Sequence, residues 1–191
     1  MNINGIIITG TSCAGKTTLS QMLTKLYPLF VVAKSITTRE KRKDDVPNSY
    51  TYVREDEFEM LLLSDSLIVS TTYRKKFFGI LRSEVDEIFN RGGIPVLLVT
   101  PSSVAPLKSN TCGYKFVSFF IDADNDILAE RYFLRSGKKC DKNFIIQNIH
   151  DRLYINDSDY LVYNESSNLS IRIILDLVSM AFNQTKEYAF V

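Results

Sequence analysis

Chemistry is concentrated first in Gly10-Thr11-Ser12-Cys13-Ala14-Gly15-Lys16-Thr17, where two glycines separated by four residues are followed at once by a lysine and a threonine. The glycines permit a tight turn in which successive backbone N–H groups point inward. Such a loop surrounds a polyphosphate with donors while the helix behind it presents its positive dipole end. Lys16 is expected to reach the outer phosphates and Thr17 to hold Mg²⁺. The pattern therefore predicts a nucleotide-phosphate loop over Gly10 to Thr18, placed between a buried strand and a helix. Cys13 lies inside it and is expected to be a small filler residue rather than a nucleophile.

A second group has the form Ser35-x-x-x-Arg39-x-x-Arg42, with Tyr50 following. Two permanent cations with two hydroxyls in reach are suited to holding a second phosphate, not to promoting hydrolysis. A third group is Arg131, Arg135 and Arg152. The first two are four residues apart and share a helix face, and Arg152 falls on the next helix. Between them, Ser136-Gly137-Lys138-Lys139-Cys140-Asp141 is polar and glycine-containing, so 131–152 is expected to work as a lid. Phosphoryl transfer asks for donor and acceptor in line, exclusion of water and neutralised charge, which arginines on a closing segment supply. His150, the one histidine, is expected on the surface, as is the basic run Arg74-Lys75-Lys76.

These side chains need a frame. Ile6 to Thr9 predicts a strand, and Lys16 to Leu26 a helix with Leu19, Met22, Leu23 and Leu26 on its buried stripe. Further strands are expected at Phe30 to Ala33, Ile94 to Val99, Tyr114 to Ile121 and Tyr160 to Tyr163. Helices are expected at Ser83 to Asn90, Asn125 to Leu134, Lys142 to Tyr154 and Ser170 to Thr185, the last with Ile174, Leu177, Val178 and Ala181 on one face. Strands alternating with helices imply an α/β fold with a mostly parallel sheet covered on both sides. Residues 35–81 read as a small mixed lobe: a polar charged segment, a strand at Tyr50 to Val53, a helix at Glu55 to Leu63, and the strand pair Leu67 to Tyr73 and Phe77 to Leu81.

The chain has 191 residues, 45% of them hydrophobic, and a formal net charge of +1. One domain spanning 1–191 is expected, with no electrostatic case for nucleic acid or an anionic membrane as partner. Cys13, Cys112 and Cys140 match no disulfide framework or zinc pattern, which predicts reduced thiols and a cytoplasmic protein. Met1 to Gly5 is not followed by the long apolar segment of an export signal, and no apolar run approaches the length of a membrane span.

Taken together and in order, these motifs resemble the guanylate kinase family of nucleoside monophosphate kinases, P-loop enzymes with an acceptor-binding lobe and a helical lid. The likeness rests on Gly10 to Thr18, Ser35 to Arg42, Ser49 to Val53 with Asp56-Glu57-Phe58, Phe78-Gly79, Glu130-Arg131 through Gly137, and Asp151-Arg152-Leu153. It implies ATP and Mg²⁺ handled by Lys16 and Thr17, an acceptor phosphate held by Ser35, Arg39, Arg42 and Tyr50, and the transferred group met by Arg131, Arg135 and Arg152. Asn164 falls where the family contacts adenine. The acceptor implied is a nucleoside monophosphate, GMP first, and the enzyme a monomer or homodimer.

The chain departs from the family where guanine is read. Val69 stands in place of one carboxylate, and Leu98 or Thr100 in place of the other; Phe78 and Ile80 replace further hydrogen-bonding residues. A site selects guanine because its own polar groups would otherwise stay unpaired, and an apolar wall supplies no such penalty. The departures point to a different or modified nucleotide, or to a sugar phosphate such as ribose 1,5-bisphosphate. Loss of the acid at Leu98 or Thr100 also removes a support for Mg²⁺, for which Asp122 and Asp124 are the candidates at the end of the next strand, although Asp124 also suits a helix N-cap. A non-catalytic phosphopeptide-binding module of the same fold is the reading from another class; the intact phosphate loop has no purpose in it. A GTP-dependent switch or hydrolase would have no use for Arg39 and Arg42.

Overall fold

The structure, a computed structural model, describes residues 3–43, 45–109 and 113–183. Cys112 and the end of the last expected helix lie outside these residues. Strands β1 (Gly5–Gly10), β2 (Phe30–Val32), β7 (Ile94–Leu98), β8 (Phe116–Asp122) and β9 (Tyr160–Tyr163) form one five-stranded sheet in the order β2-β7-β1-β8-β9. Every pairing in it is parallel, as the alternation of apolar runs and helices predicts.

Both faces of this sheet are covered, and β1 shows why its sequence is a continuous apolar run. Alternate residues point to opposite faces. Ile6 and Ile8 pack in a core with Leu19 and Leu23 of α1 (Lys16–Leu26) and with Ile174 and Val178 of α7 (Ser167–Asn183). Ile7, between them, packs on the other side with Leu97, with Val85 and Ile88 of α3 (Arg82–Asn90), and with Leu107 of α4 (Val104–Ser109). All three isoleucines are fully buried, each contributing about 1.5–3 kcal/mol from removal of its surface from water.

The second sheet has four strands in the order β4-β3-β6-β5: β3 (Ser35–Thr37), β4 (Tyr50–Tyr52), β5 (Leu67–Tyr73) and β6 (Lys76–Leu81). It is mixed, with β3 parallel to β4 and antiparallel to β6. Strand β3 was expected only as a polar segment. It forms because Ser35, Ile36 and Thr37 are all buried, with the Thr37 hydroxyl donating to the Phe77 carbonyl at 2.8 Å. The β5–β6 hairpin turns at Arg74 and Lys75, both at positive φ (51° and 61°), the paired left-handed geometry of a tight primed turn. Both side chains are exposed, as expected.

Helix α2 (Glu55–Leu63) packs Phe58 against Ile36 and Leu67 in a small core of its own. Ile68, Val69 and Ile80 instead join the main core beside α3 and α4, which ties the second sheet to the first. The short 3-10 turn Pro101–Ser103 and α4 were not expected, because two prolines and three serines in this stretch hide the helical period. Helices α5 (Asn125–Ser136) and α6 (Lys142–Arg152) complete the described chain. No helix among the described residues is long and apolar enough to cross a membrane.

Candidate active site

A cavity of about 650 Å³ opens between the C-terminal end of the parallel sheet and the second sheet. The phosphate loop forms one end. Gly10 has φ 129°, and a Cβ there would lie 1.9 Å from the Ile121 carbonyl oxygen of β8; only glycine lets the chain leave β1 at that point. Gly15 has φ 95°, and a Cβ would lie 2.4 Å from Asn164 Nδ2. It precedes α1 with no side-chain cap, so the helix's first N–H groups are available to a ligand.

The loop is tied down from three directions. Thr11 donates its hydroxyl to Asp122 Oδ1 at 2.8 Å, Ser12 N donates to Asn148 Oδ1 at 3.0 Å, and Asn164 Nδ2 donates to the Ala14 carbonyl at 2.7 Å. Lys16 Nζ folds onto the carbonyls of Gly10 and Thr11, at 2.9 and 2.6 Å. Burial pulls its ammonium down to about 8, opposed by the negative charge of Asp151. Thr17 and Thr18 are exposed at the start of α1, and Cys13 is a half-buried thiol at positive φ.

At the other end, Ser35, Arg39, Arg42 and Tyr50 line the same cavity, as the sequence predicts. Arg39 is held by a carboxylate that the sequence analysis did not single out. Its Nη1 and Nη2 donate to the two oxygens of Asp45 at 2.9 and 2.8 Å, while Tyr52 OH and the Arg42 amide each donate to Asp45 Oδ2 at 2.7 Å. Burial alone would raise the Asp45 carboxyl, but the hydrogen bonds from Arg39, Arg42 and Tyr52 outweigh it and hold the group at about 2. The guanidinium carbon of Arg39 also sits 5.0 Å from the Tyr50 ring centroid.

Between the two ends, Val69, Phe78, Ile80 and Leu98 form an apolar wall, and the hydroxyls of Thr71, Thr100 and Ser103 supply its polarity. Thr100 Oγ1 lies 2.8 Å from Ser103 Oγ and 3.4 Å from Thr71 Oγ1. Among the described residues the acids lining the cavity are Asp45 and Asp151, neither of them on this wall.

The three arginines expected on the lid divide. Arg131 and Arg135 of α5 line the cavity, and Arg131 donates to the carbonyl of Asn164 at 2.7 Å and to that of Ala14 at 3.4 Å. Arg152 does not line it. Its Nε and Nη2 donate to Asp122 at 2.7 and 3.1 Å, and further donors meet Asn125 Oδ1 and the Ala123 carbonyl. The reason is the burial of Asp122, 2% exposed, which requires a cation and leaves its carboxylate saturated rather than available to a metal. Asp124, exposed at the N-cap of α5, makes no capping bond.

Asn164 lines the cavity too; it is buried and fastened to the phosphate loop through Nδ2, with its side-chain oxygen unpaired among the described residues. Gly137 ends α5 at φ 68° and Asp141 caps α6 by accepting from Phe144 N, so the polar segment between them joins two separately capped helices. His150 is exposed against Tyr154. Asp151, next to it, is buried on the cavity side of α6, and desolvation pushes its carboxyl up. The sequence signal for Asp151 was its place beside Arg152; Asp45 had only its spacing from Arg39.

The family model described as guanylate kinase matches residues 2–180. Among known proteins, the guanylate kinase of Helicobacter pylori is 27% identical over 99% of this chain and 93% of its own length. That of Chlamydia caviae is 27% identical over 87% of this chain and 83% of its own. A solved structure of guanylate kinase from Anaplasma phagocytophilum superposes with a TM-score of 0.71 at 19% identity, covering 95% of this chain and 88% of that one, which is a likeness of fold.

Proposed function

The chain belongs to the guanylate kinase family and is an ATP-dependent nucleoside monophosphate kinase, and we propose that it phosphorylates a nucleoside monophosphate that it does not select for guanine. The observation that carries this is the single cavity joining the phosphate loop to Arg39 and Arg42 across a wall with no acidic side chain among the described residues. In this reading Lys16 and the loop amides of Gly10 to Thr18 hold the ATP phosphates, while Arg131 and Arg135 meet the transferred group. Ser35, Arg42 and Tyr50 hold the acceptor phosphate together with Arg39, whose Nε and one Nη2 hydrogen meet no partner among the described residues once its contacts to Asp45 and Glu40 are made.

The attacking oxygen is already an ionised phosphate, so no general base is needed and rate comes from alignment and charge neutralisation. A bound Mg²⁺ would supply charge neutralisation at the ATP phosphates. Thr17 supplies a hydroxyl for it. The described residues contain no group of three or more His, Cys, Asp or Glu side chains able to hold a metal by themselves, which fits an ion carried mainly by phosphates and water. The substrates are small molecules and the setting is cytoplasmic.

An ADP-release assay with ATP, Mg²⁺ and each of GMP, AMP, CMP, UMP, dTMP and ribose 1,5-bisphosphate tests the proposal. Turnover of nucleoside monophosphates without preference for GMP is expected. A GMP preference beyond about a hundredfold, the limit for an apolar pocket and far short of the ~10⁴ or more that paired polar groups provide, overturns the specificity. Ribose 1,5-bisphosphate as the sole substrate replaces the nucleotide acceptor, and absence of ATP binding returns the chain to a phosphopeptide-binding module.

A further inference from the structure

Three carboxylates, the buried Asp122 and Asp151 and the half-buried Asp45, stand at the two ends of the site, and they are not equivalent. Asp122 is saturated by Arg152 and Thr11, and Asp45 by Arg39, Tyr52 and the Arg42 amide. Asp151 is 3% exposed, and its Oδ1 accepts from Gln147 Nε2 at 2.9 Å. No described residue donates to its Oδ2, and no described cation lies within ion-pair distance of it. A carboxylate this deeply buried and this poorly partnered is costly in an empty site. It lines the cavity together with Lys16 and Thr17, at the end where phosphates are expected. An anion aimed at a polyphosphate repels it unless a cation comes with the phosphates.

The positions at which the sequence analysis looked for an acid to support Mg²⁺ are closed to that role. Leu98 and Thr100 carry no charge, Asp122 is committed, and Asp124 does not line the cavity. Resting on the kinase reading above, we propose that Asp151 is the carboxylate to which the hydrated Mg²⁺ of Mg–ATP hydrogen-bonds. It acts on the ion through water as a positioning residue, with Thr17 as the hydroxyl partner. Gln147, one helical turn earlier on α6, orients the carboxylate by holding Oδ1, so that Oδ2 is left for the ion's water shell. Because α6 also carries Arg152 and follows the hinge at Gly137, the ion and the lid would be coupled through this one side chain.

The test compares equilibrium ATP binding by calorimetry in Mg²⁺ and in EDTA for the unmodified protein, Asp151→Asn and Asp151→Glu, with melting curves for each. Mg²⁺ is expected to tighten ATP binding to the unmodified protein. Asp151→Asn is expected to lose about tenfold or more of that gain, the usual size of an outer-sphere effect on metal affinity, while binding ATP in EDTA as well as or better than before. Asp151→Glu, which keeps the charge, is expected to keep most of the gain. Bound Mn²⁺–ATP should show a changed electron paramagnetic resonance line shape in Asp151→Asn alone. An equal Mg²⁺ gain in Asp151→Asn, or no Mg²⁺ gain in the unmodified protein, overturns the assignment and leaves the kinase reading standing. A loss in Asp151→Glu as large as in Asp151→Asn, with an unchanged melting curve, also overturns it. Absence of ATP binding to the unmodified protein in either condition overturns both.

Discussion

Arg39 and Asp45 form a two-pronged ion pair at the acceptor end of the cavity, with donor–acceptor distances of 2.9 and 2.8 Å and side chains only 10% and 9% exposed. The pair stiffens the arginine proposed to meet the acceptor phosphate, and it places one negative charge at that end of the cavity. Asp45→Asn is expected to lower stability by about 2 kcal/mol at pH 7, the scale of a hydrogen bond to a charged group. The folded carboxyl lies at about 2, below its ordinary 3.8, so its contribution is present above pH 4 and is lost as pH falls toward 2. Denaturant melts across that window should show the unmodified protein and Asp45→Asn converging.

Lys16 is also lowered on folding, but in its case burial disfavours the charged form. Its folded value of about 8 lies below the ordinary 10.5, so the unfolded chain binds more protons between these limits and stability rises with pH through that window. Lys16→Met should abolish the rise. ATP phosphates favour the charged lysine, so ATP binding near pH 8.5 should take up protons in the unmodified protein and not in Lys16→Met. Calorimetry in buffers of different ionisation enthalpy reads this directly. Turnover in Lys16→Met should fall by about 10² to 10³, as for loss of a preorganised charge contact.

Arg152 is engaged with Asp122, so its loss should appear first in stability. Arg152→Ala leaves a buried carboxylate unpaired and is expected to cost about 3 kcal/mol. The double variant with Asp122→Asn should cost much less than the sum of the two single changes. Additive costs in the urea-unfolding cycle would show that the two side chains are not coupled.

Val69→Glu with Thr100→Asp would put acids on the wall that now has only hydroxyls. The expected result is a rise in kcat/KM for GMP of about tenfold or more relative to the other nucleotides. An unchanged ranking of acceptors would remove this wall from base selection.

Much of the frame was legible because it depends on neighbours in sequence. The run Ile6-Ile7-Ile8 followed by glycines at 10 and 15 allows few conformations other than strand, tight turn and helix, and all five strands of the parallel sheet fell where apolar runs predict them. Strand β3 escaped because its burial comes from β4 and β6 rather than from its own pattern. Ser35, Arg39, Arg42 and Tyr50 reach the cavity as their spacing implies.

What each charged side chain faces was decided elsewhere. Thr11 meets Asp122 across 111 positions of chain, and Arg152 meets it across 30. Sequence by itself determined that a polyphosphate loop and a second arginine-rich group exist, since backbone sterics and local spacing suffice for both. Only the tertiary structure decided that Arg152 is spent on a buried aspartate, that Asn164 fastens the loop, and that Asp151 is the carboxylate beside Lys16. Burial raises the cost of an unpaired charge, and which charges are buried together is known only once the sheet and its helices have closed.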